Sequence, residues 1–166
     1  LLFGMSMTVV FLLLLPLSLT NDYYLNVLIF IGIHAIIAVG LDLLIGYTGQ
    51  ISLGHAAFFG LGAYSTGVLS AKWGWPPLAG LAVALVGVGI VAYAIGVPTL
   101  KLHGHYLAMA TLGFGIIVFI FFNELVPLTG GPSGLTGIEE MSLFGFGFDS
   151  DLKYYYLVSA VFVSVL

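Results

Sequence analysis

Cysteine is absent from the 166 residues, and charge is scarce. Without cysteine there is no disulfide scaffold, thiolate metal site or cysteine nucleophile. Lys and Arg together number only 3, and Asp and Glu 7, so the chain has too few cations for a surface that binds nucleic acid. Charged residues form 6% of the chain, against roughly 25% in an ordinary soluble domain. These shortages exclude a water-soluble surface and a nucleic-acid partner.

What the sequence has instead is apolar length. Hydrophobic residues make up 61% of the chain, and the mean hydropathy is +1.20. At roughly 20 residues per bilayer crossing, the chain has room for about five spans and part of a sixth. The sequence therefore predicts an all-α fold, a polytopic transmembrane helix bundle that forms a single domain over residues 1–166 in contact with membrane lipid. It begins with Leu1 and stops inside an apolar run, which we interpret as truncation at both ends.

Polar interruptions divide the apolar sequence into runs. The predicted spans are residues 1–19, 23–45, 52–71, 78–97 and 106–122, with a partial span at 154–166. Residues 123–153 are rich in Gly, Pro and Ser and are predicted to form a loop outside the membrane. The first run has an alternative interpretation as the core of a signal peptide, although it lacks a basic start and a small-residue cleavage site.

Residues 46–55 read GYTGQISLGH and interrupt the apolar pattern most sharply. Glycines, hydroxyls, an amide and an imidazole there predict a broken helix, which is stable at membrane depth only if it is buried in protein or lines a hydrated cavity. The predicted helix-break glycines are Gly46, Gly49 and Gly54. The candidate residues of a substrate path are Tyr47, Thr48, Gln50, Ser52 and His55. The alternative is an ordinary polar loop between two spans.

Polar residues outside this segment have competing interpretations. Asp42 is expected to face the bundle interior, either in a functional role or in the favoured structural role of accepting hydrogen bonds from the unwound 46–50 backbone or capping the next helix. His34 lies eight positions before Asp42, too far along a helix for the two to touch. His103 and His105 are poor metal ligands without a nearby carboxylate or thiolate, so neither a metal nor a cofactor is predicted.

Small residues recur at helical spacing. Ala56, Gly60, Ala63 and Gly67 share one face of the third run and predict close helix packing, and later runs repeat the pattern, as in Ala108, Thr111 and Gly115. The alternative is that small residues are simply frequent in membrane helices.

Three stretches resemble a known family, the branched-chain amino acid ABC transporter permeases of the LivM type. Residues 40–69 read GLDLLIGYTGQISLGHAAFFGLGAYSTGVL and are similar to its signature segment. Residues 100–115, LKLHGHYLAMATLGFG, resemble its basic link and following helix, and residues 128–138, LTGGPSGLTGI, its glycine-rich loop. The chain departs from the family at His103, where a second basic residue is usual, and at His105, where an acid is usual.

The resemblance implies a permease subunit in the bacterial inner membrane that imports leucine, isoleucine and valine. It also implies a cytoplasmic link around Lys101, an external 123–153 loop, and four kinds of partner: a second homologous permease, two cytoplasmic ATPase subunits, an external substrate-binding protein and lipid. The chain has no GxxxxGK[ST] loop, so ATP would be hydrolysed elsewhere.

Three different functions compete with this one. The same fold could instead import urea, short amides or another small polar solute. An intramembrane enzyme would use His34, Asp42 or His55, but the HExxH and GxSxG motifs that would accompany them are lacking. A purely structural membrane subunit would leave the polar broken helix without a role.

Overall fold

The structure is a computed structural model, which describes residues 12–18, 21–138, 141–143, 146–148 and 150–166. Its α-helices are α1 Asp22–Thr48, α2 His55–Trp73, α3 Pro77–Thr99, α4 His105–Glu124, α5 Val126–Thr129 and α6 Asp151–Val165. Short 3-10 helices cover Leu15–Ser18 and Gly131–Ser133. Two strands of two residues each, β1 Ser142–Leu143 and β2 Phe146–Gly147, pair antiparallel. The predicted all-α bundle is confirmed, because the regular secondary structure of the described residues is helical apart from these two short strands.

Local sequence explains where the long helices begin and end. Asn21 caps α1, because its side-chain Oδ1 accepts the Tyr23 N–H at 3.0 Å. Gly74 ends α2 in a left-handed conformation with φ +63°, and its N–H and that of Trp75 bond back to Ser70 and Leu69. Helix α3 opens on Pro77, whose missing N–H costs nothing in a first turn.

Within the described residues, three helical stretches are long and apolar enough to cross a membrane. They are Tyr23–Thr48, Pro77–Thr99 and His105–Glu124. Large apolar side chains such as Leu85 and Phe119 are exposed on them, as lipid-facing groups would be. Helix α2 is not one of the three, because its hydroxyl side chains and the terminal His55 and Lys72 lower its hydropathy. It is the helix with the longest buried stretch, from Gly67 to Ser70.

The helix break differs from its predicted position. Helix α1 continues through Gly46, Tyr47 and Thr48 and ends three residues later than the run 23–45. Gly46 is therefore a helical residue. A single glycine destabilises a helix by only about 1 kcal/mol, and the helical residues on both sides of Gly46 maintain the backbone hydrogen bonds. Helix α2 begins at His55 rather than at residue 52. The non-helical segment is residues 49–54, which we name the 49–54 link.

The predicted loop 123–153 is not uniformly irregular. It contains α5, the 3-10 helix Gly131–Ser133, both strands and the first residues of α6. Gly130 and Gly131, with Pro132, form a compact turn between α5 and the residues that follow. Most of the predicted first span, residues 1–19, lies outside the described residues, as do parts of this loop.

The chain divides into two compact units, Leu1–Gly40 with Phe148–Leu166, and Leu41–Gly147. In the first unit, α1 contacts α6. Asn26 Nδ2 donates to Asp151 Oδ2 at 2.6 Å, and a methyl group built on Gly32 would lie 2.7 Å from Val158 Cγ1. The Tyr155 hydroxyl donates to the Leu12 carbonyl at 2.9 Å. The first two contacts join α1 to α6, and the third joins α6 to the chain before α1.

In the second unit, α2 lies between α3 and α4. The face Ala56, Gly60, Ala63 and Gly67 is divided: a methyl on Gly60 would lie 3.1 Å from Phe122 of α4, and one on Gly67 3.0 Å from Leu135. Ala56 and Ala63 are exposed. The stripe therefore packs against α4 at one point and against the segment after Ser133 at another.

Candidate functional site

The 49–54 link is held against α4 by its backbone. It starts at Gly49, with φ +64°, whose N–H bonds to the Ile45 carbonyl at 2.9 Å. Farther along, the Leu53 N–H donates to Thr111 Oγ1 at 3.1 Å. A methyl group on Gly54 would lie 2.5 Å from the Thr111 carbonyl oxygen, so only glycine permits this approach.

The contacts with α4 show how far along that helix the link extends from its first residue. Gly49 lines a cavity together with His103 and Gly104, which lie where α4 begins. Thr111 is six residues into α4, about 9 Å along its axis at the usual helical rise. A methyl on Gly115 would lie 3.7 Å from Gly54 Cα, a further turn along. The link therefore enters the bundle, and α2 begins about two turns deeper than α4 does.

A first cavity, the apolar chamber, lies beside the link and has a volume of about 260 Å³. Its walls are mainly carbon, contributed by Leu44, Phe58, Ala92, Ile95, Gly96 and Phe114. Phe58 and Phe114 are in ring contact, with centroids 5.0 Å apart. Polar groups reach the chamber from Gln50, Ser52 and Thr111. It is an apolar space with a few hydrogen-bonding groups, which is the usual make-up of a small-ligand site.

A second cavity, the polar chamber, adjoins the first and has a volume of about 200 Å³. It is lined by Thr48, Gly49, His103 and Gly104. The two chambers share four residues: Gln50, Ile51, Leu100 and Leu107. No Asp, Glu, Lys or Arg from the described part of the chain lines either chamber. Any solute bound there meets neutral dipoles and the His103 imidazole rather than a fixed carboxylate or ammonium.

The structure separates the five candidate path residues into two groups. Gln50 and Ser52 line the apolar chamber, and Gln50 and Thr48 line the polar one. Thr48 donates its hydroxyl to the Leu44 carbonyl, so it is already satisfied by its own helix. Tyr47 is 87% exposed, and neither it nor His55 lines these two chambers.

Asp42 does not take its favoured structural role in the described residues. It is exposed and accepts no hydrogen bond from residues 46–50, because residues 46–48 remain helical and keep their N–H groups bonded inside α1. His34 is likewise outside the buried core, and its Nδ1 contacts the Phe30 carbonyl at 2.7 Å in its own helix. His105 is the first residue of α4.

Two features of the site carry no functional signal in the sequence. The sequence assigns Thr111 only to helix packing, yet its Oγ1 accepts the Leu53 N–H and donates to the Ala108 carbonyl at 3.0 Å. Gly96 lines the apolar chamber, and a side chain added there would meet no atom within 4 Å. Neither residue stands out in hydropathy, since Thr and Gly are common throughout membrane helices.

A second glycine-rich segment, residues 129–134, forms a self-contained turn, which we name the 129–134 turn. Thr129 Oγ1 lies 2.6 Å from the Phe122 carbonyl and 2.9 Å from that of Leu125, and it accepts the Gly131 N–H at 3.1 Å. A methyl on Gly130 would lie 2.0 Å from the Gly134 carbonyl oxygen. Thr129 is only 2% exposed. Thr129 therefore holds the turn against the carbonyl groups at the end of α4.

Comparison with known proteins decides the family. The family model described as the permease component of the branched-chain amino acid transport system matches residues 23–166. The chain belongs to this family. The permease family match includes the 49–54 link, both chambers and the 129–134 turn.

Two curated relatives share the description high-affinity branched-chain amino acid transport system permease protein LivM. The protein from Salmonella typhimurium is 40% identical over 126 residues, which are 73% of this chain and 28% of the relative. The protein from Escherichia coli is 39% identical over 121 residues, 70% of this chain and 27% of the relative. The chain thus spans less than a third of the length of these relatives. No solved structure matches it.

Proposed function

We propose that the chain is part of the permease subunit of an ATP-driven importer that moves leucine, isoleucine and valine across the bacterial inner membrane in a multi-pass arrangement. The observation that carries this proposal is the permease family match over residues 23–166. The names of the two LivM relatives support the cargo, and the three membrane-capable helices support the location.

The proposed partners are a second homologous permease, two cytoplasmic ATPase subunits and an external binding protein that delivers the amino acid. Alternating access would follow from rocking of the two permeases, with contacts between small residues allowing one helix to move on another. Gly54 against Thr111 is a contact of this kind.

In this chain the proposed path runs beside the 49–54 link, past Gln50 and Ser52. Their side chains line the chambers and have no hydrogen-bond partner in the described residues. They are therefore free to bind a passing solute. A site of neutral dipoles binds a zwitterion weakly, which suits a permease that must release what the binding protein delivers.

The proposal is tested by uptake of labelled leucine in cells that express the full-length permease with its partner subunits and lack other leucine uptake. We expect excess unlabelled isoleucine and valine to inhibit uptake and urea to leave it unchanged. Inhibition by urea alone, or no leucine uptake despite an assembled complex, would overturn the cargo.

The path is tested by Gln50→Ala, which removes the amide between the two chambers. We expect leucine uptake to fall by about tenfold, the effect of losing about one hydrogen bond of 1–1.5 kcal/mol during passage. The matched control is Asn123→Ala, which removes an amide whose bond is to the Phe119 carbonyl of its own helix. Equal uptake by wild type and Gln50→Ala would exclude Gln50 from the path.

A further inference from the structure

One wall of the apolar chamber comes from α3 and contains a glycine, Gly96. On α3, residues Ala92, Ile95, Gly96 and Thr99 line the chamber and follow the spacing of a single helix face. Gly96 lies in the middle of that face, and a side chain added there would meet no atom within 4 Å. Gly96 thus lines the chamber and has room for a side chain, so a side chain added on this wall would reduce the space beside it.

The opposite walls are large and apolar. Phe58 comes from α2 and Phe114 from α4, and their rings contact each other with centroids 5.0 Å apart. Leu44 also lines the chamber. A chamber of about 260 Å³ lies below the roughly 300–1,000 Å³ of drug-sized ligand sites. Its carbon walls suit an aliphatic group, and its volume is ample for the side chain of a small amino acid.

Hydrogen-bonding capacity lies to one side of this apolar space. Gln50 is shared with the polar chamber, where His103 and the backbone of Gly49 and Gly104 also contribute. A solute with one charged or polar end and one aliphatic end matches this pair of chambers, since each end meets groups of its own polarity. A compact polar solute without an aliphatic end would leave the apolar chamber unused.

We infer that the apolar chamber receives the aliphatic side chain of the cargo and that Gly96 limits its length, so that this chain selects among aliphatic amino acids by size. The inference rests on the proposed function and adds a specificity-determining residue to it. The Gln50 amide and the polar chamber take the ammonium and carboxylate groups, and the space before Gly96 holds the outermost carbons of the side chain.

The test uses the full-length permease assembled with its partner subunits in proteoliposomes, and it measures initial uptake rates of labelled leucine and labelled valine. Gly96→Ala adds one carbon to the wall, and leucine exceeds valine by one carbon. One carbon in an apolar pocket changes acceptance by at least about tenfold when the pocket is filled. Because this chamber is partly open, the leucine-to-valine uptake ratio should fall by up to about tenfold in Gly96→Ala and further in Gly96→Val.

The matched control is Gly89→Val. Gly89 is also on α3, also has no atom within 4 Å of an added side chain, and does not line the chamber. It should leave the ratio unchanged. If Gly96→Val does not assemble, Gly96→Ala alone tests the size-selection role. Alanine favours helix formation more than glycine does, so we expect Gly96→Ala to assemble.

Each outcome has one meaning. An unchanged ratio in assembled Gly96→Ala, or an equal fall in Gly89→Val, overturns the size-selection role and leaves the proposed function standing. A wild-type complex that transports neither leucine nor valine overturns the proposed function and this inference together. A fall confined to the Gly96 variants supports both.

Discussion

The 49–54 link and the 129–134 turn are both glycine-rich breaks after a helix, but they use their polar groups differently. In the turn, Thr129 is bonded to three backbone groups and is almost fully buried. In the link, Gln50 and Ser52 face cavities without a partner in the described residues. A glycine-rich break is therefore not by itself a sign of a solute path. What distinguishes the two is polar capacity that the fold leaves free.

The glycines of the two segments differ in the same way. Gly49 and Gly130 each follow the last residue of a helix, and both have positive φ, +64° and +80°. Nothing lies within 4 Å of a methyl group on Gly49, whereas the Gly134 carbonyl blocks one on Gly130. There is space for a side chain at Gly49, where the link begins, and none at Gly130 in the turn. The open space beside Gly49 suits a passage, and the closed contact at Gly130 suits a structural turn.

The largest expected effect comes from Gly130→Ala against Gly49→Ala. Positive φ costs alanine roughly 1–2 kcal/mol at both positions, and the clash with the Gly134 carbonyl adds about 1–3 kcal/mol in Gly130→Ala. We expect the assembled complex to lose thermal stability in detergent clearly more with Gly130→Ala. Similar melting temperatures for the two variants would show that the turn is not the tighter segment.

A smaller effect is expected for Gly54→Ala, which pushes the link away from the Thr111 carbonyl. Overpacking of this kind costs about 1–3 kcal/mol, and we expect reduced leucine uptake in a complex that still assembles. The control is Gly46→Ala, whose added methyl meets nothing within 4 Å and lies inside α1. Gly46→Ala should keep uptake and gain helix stability of up to about 1 kcal/mol. The reverse order of the two variants would contradict the close contact between link and α4.

The smallest effect is expected for Thr111→Val against Thr129→Val. Both remove a hydroxyl with little change in shape, but Thr129→Val leaves the buried Gly131 N–H unpaired, at a cost of about 1–3 kcal/mol. Thr111 accepts the Leu53 N–H at an exposed position, where water can replace it and about 0.5–1.5 kcal/mol is lost. Melting temperatures of the two assembled variants measure the difference. A larger loss from Thr111→Val would show that the link, not the turn, is the more constrained.

Much of the helix pattern is accessible from the sequence. Helices α3 and α4 begin and end within two residues of the runs 78–97 and 106–122, because Pro76, Pro77 and Gly104 are strong local signals. The predicted run 23–45 ends too early, because Gly46 resembles a helix stop in the sequence pattern. Inside a helix with apolar neighbours on both sides, a single glycine does not have that effect.

The depth of the link is not accessible from the sequence. It depends on the contact between Leu53 and Thr111, residues 58 positions apart, and hydropathy averages over neighbours along the chain rather than neighbours in space. For the same reason Gln50 can be proposed from its type, while Gly96 cannot. A glycine has no side-chain functional group, so its place in a cavity wall becomes visible only in the structure.

The short, weakly apolar α2 has a consequence for how the chain enters a membrane. It begins about two turns inside the bundle, and it is the least apolar of the four longest helices. A helix with a histidine, a lysine and several hydroxyl side chains gains little by partitioning alone into lipid. It is joined to α3 through only Gly74, Trp75 and Pro76, and α3 is strongly apolar. We therefore expect α2 and α3 to enter the bilayer together as a hairpin, with the more apolar helix driving insertion of its partner.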